Sequence, residues 1–248
     1  PYAHIENCHF EDNRADQSGG GIFYECSYND CDVDFDLGDS EPSTLRNNHA
    51  IISGGAMHWT HFQPKIDKSK TIFAGNTADY GIDISSIGHQ VVPKFLKEEH
   101  NLTKWPELVE DTLLLENFRS GGDVEGNLWF YVVDAYDQVV KTDSVTSVSL
   151  LPVSNELAIS NGIRRANKGV LNFKDLHLVS TPNETTLLNI TALNLDSHAT
   201  YFTHNLKIHF RQCEQGEILT TSKECYYCGT DSIQSQSTLD TNNQYRAR

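Results

Sequence analysis

The residues best equipped for chemistry in this 248-residue chain are its cysteines, its glycosylation motifs and one acidic run. Six cysteines form two clusters, Cys8, Cys26 and Cys31 near one end and Cys213, Cys225 and Cys228 near the other, with none between. Clusters of this kind staple the chain locally and imply an oxidising compartment. Cys26 and Cys31 are close enough in sequence to form a small loop. Cys225-Tyr-Tyr-Cys228 lacks the second cysteine pair of a zinc ribbon and the βαβ surroundings of a redox motif. Three sequons, Asn101-Leu-Thr103, Asn183-Glu-Thr185 and Asn189-Ile-Thr191, carry amide nitrogens that a secretory pathway can glycosylate. Asn183 follows Pro182 in a turn, Asn189 runs out of phase with Leu188 and Ile190, and Asn101 sits in a connector. All three are expected to face solvent.

In the acidic run, Asp30, Asp32, Asp34 and Asp36 alternate with other residues, and a strand places residues of period two on one face. Four aligned carboxylates repel, and a hard cation such as calcium would relieve that. An EF-hand loop is excluded, because Phe35 stands where the sharp turn needs glycine. The other reading of the run is a solvated edge strand whose charges block aggregation.

No catalytic residue is expected. Arg14 and Arg46 are the arginines of the first ninety residues, each next to an Asn in a turn. Carboxylates clustered with basic groups, which a polysaccharide lyase or hydrolase would need, are therefore missing. His58 and His61 stand at i and i+3, a ligand spacing for a helix rather than a strand, and are read as surface histidines. Trp59 and Trp105 suit either sugar stacking or a core. A net charge of −15, with 19 basic against 34 acidic side chains, excludes nucleic acid as a partner. No apolar run approaches the roughly 18 residues that would span a bilayer. The opening Pro-Tyr-Ala-His, without an initiator Met or leader, reads as a processed or excised piece of a longer precursor.

The elements that position these residues begin with a repeat. Phe10-Glu-Asp-Asn13-Arg-Ala15 leads into Ser18-Gly-Gly-Gly-Ile22, and Leu45-Arg-Asn-Asn48-His-Ala50 into Ser53-Gly-Gly-Ala-Met57. Phe73-Ala-Gly-Asn76-Thr-Ala78 leads into Tyr80-Gly-Ile-Asp-Ile84. An apolar residue precedes each Asn by three, and the Asn positions lie 35 and 28 apart. In a solenoid such residues stack coil on coil: the apolar one fills the interior, and the Asn satisfies backbone at a turn. Phe10-Glu-Asp-Asn13, Phe73-Ala-Gly-Asn76, Gly20-Gly-Ile22 and Gly54-Gly-Ala56 resemble the paired tetrapeptides of polymorphic-membrane-protein repeats. That resemblance, over about residues 5–90, implies a right-handed parallel β-helix and a role in surface display and adhesion. Leu45 stands where Phe is usual, and the third repeat lacks the Gly-Gly pair.

Residues 1–92 are thus assigned to the repeats, 93–112 to a linker, 113–212 to a second domain and 213–248 to a cysteine-rich segment with a polar, flexible tail. In the second domain Leu128, Phe130 and Val132 alternate, as do Val148 with Leu150, Leu176 with Leu178, and Leu206, Ile208 and Phe210. Turn signals at Asp137-Gln, Asn161-Gly162, Lys168-Gly169 and Thr181-Pro-Asn separate the runs. The spacing implies an antiparallel β-sandwich, and Trp129-Phe-Tyr-Val-Val-Asp-Ala-Tyr-Asp-Gln with Gly169-Val-Leu-Asn-Phe-Lys-Asp-Leu resembles immunoglobulin-like surface modules. Cys213-Glu-Gln-Gly-Glu217 with Cys225-Tyr-Tyr-Cys228 resembles the start of an ephrin-receptor-like or EGF-like repeat, which implies a Cys213–Cys225 bond. Cys8 and Cys228 then remain, for an intermolecular partner, for each other or for other parts of a longer chain.

The expected class is all-β, a secreted or cell-surface structural glycoprotein without a cofactor beyond the candidate calcium. Self-association head-to-tail into a filament or fibrous layer is the expected role, with a carbohydrate-binding adhesion module as the alternative and a polysaccharide lyase or hydrolase ranked behind it.

Overall fold

A computed structural model describes residues 2–25, 34–37, 41–94, 108–109, 112–123, 128–195 and 203–227. Every regular element among them is a strand, so the chain is all-β. Strands β1 (Tyr2–Ile5), β2 (His9–Glu11), β3 (Arg14–Ala15) and β4 (Ile22–Tyr24) make a first winding. A second follows as β5 (Asp34–Leu37), β6 (Ser43–Arg46), β7 (His49–Ala50) and β8 (Met57–Trp59). The third is β9 (Lys65–Ile66), β10 (Thr71–Ala74) and β11 (Ile84–Ser86). Equivalent strands pair in parallel, giving the sheets β1-β5-β9, β2-β6-β10 and β4-β8-β11. The β3–β7 pair is continued by a bridge from His49 to Thr77.

This stacking sets each repeat residue over its equivalent. Phe10 pairs with Leu45 and Leu45 with Phe73, and Met57 lies between Ile22 and Ile84. Leu45 and Met57, flanked on both sides, are fully buried in a core that also holds Tyr24, Leu37, Trp59 and Ile84. Burying such an aliphatic side chain stabilises by about 2 kcal/mol. Serine bridges, Ser18 to Ser53 and Ser53 to Tyr80, join the corners. The glycine two residues after each corner serine, Gly20 or Gly55, is there for close approach. A Cβ on Gly20 would lie 2.2 Å from the Gly55 carbonyl oxygen, and one on Gly55 would lie 2.1 Å from that of Ile82. The third winding carries Ile82 at this position, 61% exposed, with no further described winding against it.

Strand β12 (Gln90–Lys94) straddles the boundary drawn at residue 92, because it pairs antiparallel with the strand Trp129–Val133 of the second unit. The remaining strands are β13 (Leu108–Val109), β14 (Thr112–Phe118), β15 (Gly122–Asp123), β16 (Trp129–Val133), β17 (Ser147–Pro152), β18 (Ala158–Ser160), β19 (Ile163–Arg165), β20 (Val170–Asn172), β21 (His177–Val179), β22 (Thr185–Leu193), β23 (Thr203–Phe210), β24 (Glu217–Leu219) and β25 (Cys225–Tyr227). A six-stranded sheet runs β13-β14-β23-β22-β17-β19, beside three-stranded sheets β12-β16-β20 and β15-β21-β18. Their apolar faces share one core, with Phe130, Leu150, Leu171, Phe173, Leu178, Leu206, Ile208 and Phe210 almost fully buried. Every alternating run of the sequence points its apolar positions into it.

The expected all-antiparallel sheet is corrected at one pair: β14 runs parallel to β23. Tight turns can join only antiparallel neighbours, whereas these two strands are separated by the rest of the domain, so either direction is open to them. Asp137, Asn161, Lys168 and Asn183 all have positive φ, as their turn roles require. A hairpin, β24–β25, closes the described chain and carries the Cys213–Cys225 disulfide, S–S 2.04 Å. Its base is held by a two-pronged ion pair from the Arg211 guanidinium to Glu217, at 2.7 and 2.8 Å.

Candidate functional site

The distinctive chemistry of the stacked windings lies in an asparagine ladder. The Asn48 Oδ1 accepts from the Asn13 backbone N–H at 3.1 Å and from Asn13 Nδ2 at 2.9 Å. Asn76 Oδ1 accepts in the same way from Asn48 N–H and Nδ2, at 3.0 and 3.2 Å. The leftover amide hydrogens go back across the ladder, Asn48 Nδ2 to the Phe10 carbonyl and Asn76 Nδ2 to that of Leu45. Each rung thus satisfies turn backbone that neither strand reaches, and Asn48 and Asn76 are buried.

The ladder has two unlike ends. At the third winding, Asp83 closes it: its Oδ1 accepts from Asn76 Nδ2 at 2.9 Å, taking the place of a next Asn. The outward groups of β11 are also occupied. Asp134, fully buried, accepts from the Ser86 N–H at 3.0 Å, and Gln138 Nε2 donates to the Ile84 carbonyl at 2.8 Å. The same Asp134 carboxylate accepts from the N–H groups of Tyr136 and Gln138, which folds the loop into a cap. Burial raises its pKa against these hydrogen bonds. Trp59 Nε1 donates to the Tyr136 hydroxyl at 3.0 Å, and Lys141 pairs with Asp79 at 2.9 Å, tying the loop to the windings.

At the first winding nothing equivalent is found among the described residues. Among the described residues no strand pairs with the outer edges of β1, β2 and β4. Asn13 is exposed, and its Oδ1 receives no donor there, although Asn48 and Asn76 each receive two at that atom. Phe23, the outermost ring of its column, is 51% exposed.

The sequence-based site residues are distributed as follows. Cys26, Cys31, Cys228, Asp30, Asp32, Asn101, Trp105 and the tail beyond 227 lie outside the described residues. Asp34 and Asp36 fall on β5, where their backbones pair with Tyr2 and His4. Cys8 is a half-buried free thiol beside the first winding, its Sγ 3.1 Å from the Glu6 carbonyl oxygen. Cys213 and Cys225 lie close to Glu217, but as a disulfide they have no thiolate to offer a metal. Asn183 and Asn189 are exposed. His58 corrects its surface reading. It is buried beneath the Phe23 ring, centroids 5.5 Å apart, with Nδ1 2.7 Å from the Ser85 hydroxyl. Trp59 is likewise a core residue. Asp134 and Asp83, the two caps, had no signal in the sequence beyond their places in short turns.

No family model matches the chain, and a search of curated proteins finds no match. Solved structures similar to it include WR4, a C. elegans MSP family member, at 11% identity over 41% of this chain and 93% of that one. The TM-score is 0.25, a likeness too slight to bear on fold or function.

Proposed function

We propose that this chain is an extracellular structural module in which the three windings form a short right-handed parallel β-helix and the second unit an immunoglobulin-like spacer, assembling head-to-tail into a filament or fibrous layer. The observation that carries the reading is the asymmetry of the ladder: one end is closed by Asp83, Asp134 and Gln138, while at the other no strand among the described residues pairs with the outer edges of β1, β2 and β4, and no described donor reaches Asn13 Oδ1. Free edges invite another chain. An unlike contact of tail on open end propagates when it does not close into a ring. In this assembly the matching element is assigned to the segment after Cys228, which lies outside the described residues, and an intermolecular bond to the free Cys8 thiol of the first winding. The Cys213–Cys225 bond and the sequons fit an oxidising, glycosylating route to the cell surface. Neither catalysis nor a cofactor is part of this proposal.

Purified chain should form filaments visible by negative-stain microscopy, and Glu11→Pro should reduce the assembled fraction at least tenfold. The Cys8 carbonyl and the Asp12 N–H bond toward β6, so by alternation Glu11 faces the open side. Proline there removes an outward donor and leaves the existing ladder whole. A folded wild-type chain that stays monomeric at high concentration would refute the filament.

A second reading, carbohydrate-binding adhesion, is favoured by a cavity of ≈ 690 Å³ between the third winding and the capping loop. Tyr136 and Phe73 line it with Lys68, Asp79, Asp83 and Lys141, a ring surface edged by polar groups. A glycan array separates the two readings: specific retention supports adhesion, and no binding leaves assembly.

A further inference from the structure

The outer face of the six-stranded sheet is unusually apolar at one place. Along β22, Thr186, Leu188 and Ile190 are buried while Thr185, Leu187 and Asn189 face solvent. Solvated sheet faces ordinarily carry polar side chains at such positions. Here Leu187 is 39% exposed. On the adjacent β17, Leu151 sits directly opposite Asn189 and is 50% exposed. Val153, 56% exposed, donates its N–H to the Leu187 carbonyl and so lies beside it. Ile163, 64% exposed, stands on β19 opposite Ser149, two positions along β17 from Leu151. These four side chains form a patch across three neighbouring strands, the kind of surface that ordinarily has something over it.

The residue beside the patch says what that is. Asn189 opens the sequon Asn189-Ile190-Thr191, is exposed, and makes no side-chain hydrogen bond among the described residues. Directly opposed residues on neighbouring strands hold their Cβ atoms about 5 Å apart, so a group on the Asn189 amide starts against Leu151. On its other side lie Asn205, directly opposite, and Lys207 opposite Leu187, both polar. The apolar surface therefore lies to one side of the attachment point.

We infer that an N-linked glycan on Asn189 covers the Leu151–Val153–Ile163–Leu187 patch and keeps this sheet face from associating. This rests on the extracellular reading above. In the transfer, the Asn189 amide nitrogen bonds to the anomeric carbon of an oligosaccharide carried on a polyprenyl pyrophosphate. The carbon–phosphate-oxygen bond breaks, the lipid pyrophosphate leaves, and the amide nitrogen loses one proton. The first sugars then lay their apolar ring faces on Leu151 and Leu187, as the side chains of a partner strand would. Asn183, in a positive-φ turn before β22 begins, serves as the natural control.

The experiment uses the full chain secreted from a glycosylating eukaryotic host, with site occupancy mapped by mass spectrometry. Asn189→Gln should raise binding of a hydrophobic dye and the aggregated fraction several-fold, whereas Asn183→Gln should change neither. Adding Leu151→Thr and Leu187→Thr to the Asn189→Gln chain should restore the original behaviour. If Asn189→Gln is not secreted, glycosidase trimming of the folded wild-type protein makes the same comparison, with the same several-fold rise expected. An occupied Asn189 whose removal changes nothing overturns the inference. So does an empty Asn189 beside an occupied Asn183, and that result leaves the extracellular reading standing. A discrete dimer formed through this face in the presence of the glycan also overturns it, making the patch a protein interface. No occupancy at any sequon removes the inference and the secretory reading together.

Discussion

Gly55→Ala is expected to destabilise the chain by about 3 kcal/mol or more, measured by chemical denaturation. The added methyl would sit 2.1 Å from the Ile82 carbonyl oxygen and 2.7 Å from the backbone nitrogen and oxygen of Thr77. All three are main-chain atoms of the next winding. A flexible side chain could swing aside, but these are held by the parallel pairing itself: the Gly55 N–H donates to the Gly81 carbonyl at 3.1 Å and the Thr77 N–H to the Asn48 carbonyl at 2.9 Å. Relief therefore requires prising two windings apart, which also lengthens the Asn48–Asn76 rung. Gly20→Ala should behave similarly, since its Cβ would meet the Gly55 oxygen at 2.2 Å. Ile82→Ala is the contrasting case. Ile82 occupies the same column on the outermost winding and is 61% exposed, so truncating it should change stability by no more than about 0.5 kcal/mol. Equal effects at Gly55 and Ile82 would mean that the windings do not stack as described.

That contrast also explains what the sequence could and could not disclose. Phe10, Leu45 and Phe73, and likewise Asn13, Asn48 and Asn76, are legible because each winding asks the same task of the same position. A recurring task leaves a recurring residue. The missing second glycine of the third repeat reads in the sequence as a departure from the pattern, yet it marks the place where the pattern stops. Ile82 needs no room for a following winding, so nothing selects glycine there. The alternation of Leu128, Phe130 and Val132, or of Leu206, Ile208 and Phe210, was equally plain, because a strand on a one-sided core has a fixed period.

Features that depend on distant segments left no such trace. Asp134 caps Ser86 from 48 residues away, and nothing in Asp134-Ala-Tyr-Asp-Gln distinguishes a buried cap from an ordinary surface turn. The parallel pairing of β14 with β23 is set by where β14 joins the sheet, between β13 and β23, and local pattern carries no information about direction. The burial of His58 is hidden from the sequence for a related reason. Its spacing from His61 was the visible quantity, whereas its burial follows from the column that puts Phe23 on one side and Ser85 on the other.

The burial of His58 has a consequence in acid. Desolvation lowers its pKa from the ordinary value of 6.5 to about 4, because a charged imidazole between Phe23 and the Ser53 and Ser85 hydroxyls loses its hydration. Between these two values the unfolded chain binds a proton at this site and the folded chain refuses it. Stability therefore falls as pH drops from about 6.5 to about 4, and levels off below, where both states are protonated. The gap corresponds to about 3 kcal/mol at the acid end. Asp134 works in the opposite sense: burial raises its pKa, so its ionised form is the one that costs stability, and protonation favours the fold. The histidine is isolated by comparing wild type with His58→Gln across the window. Denaturation free energies measured at pH 7 and pH 4 should differ by about 3 kcal/mol more in the wild type than in the variant, whatever the variant's stability at pH 7. Parallel pH profiles for the two proteins would show that the His58 ring is hydrated in the folded chain, and that the column seating it between the first and third windings is open to water.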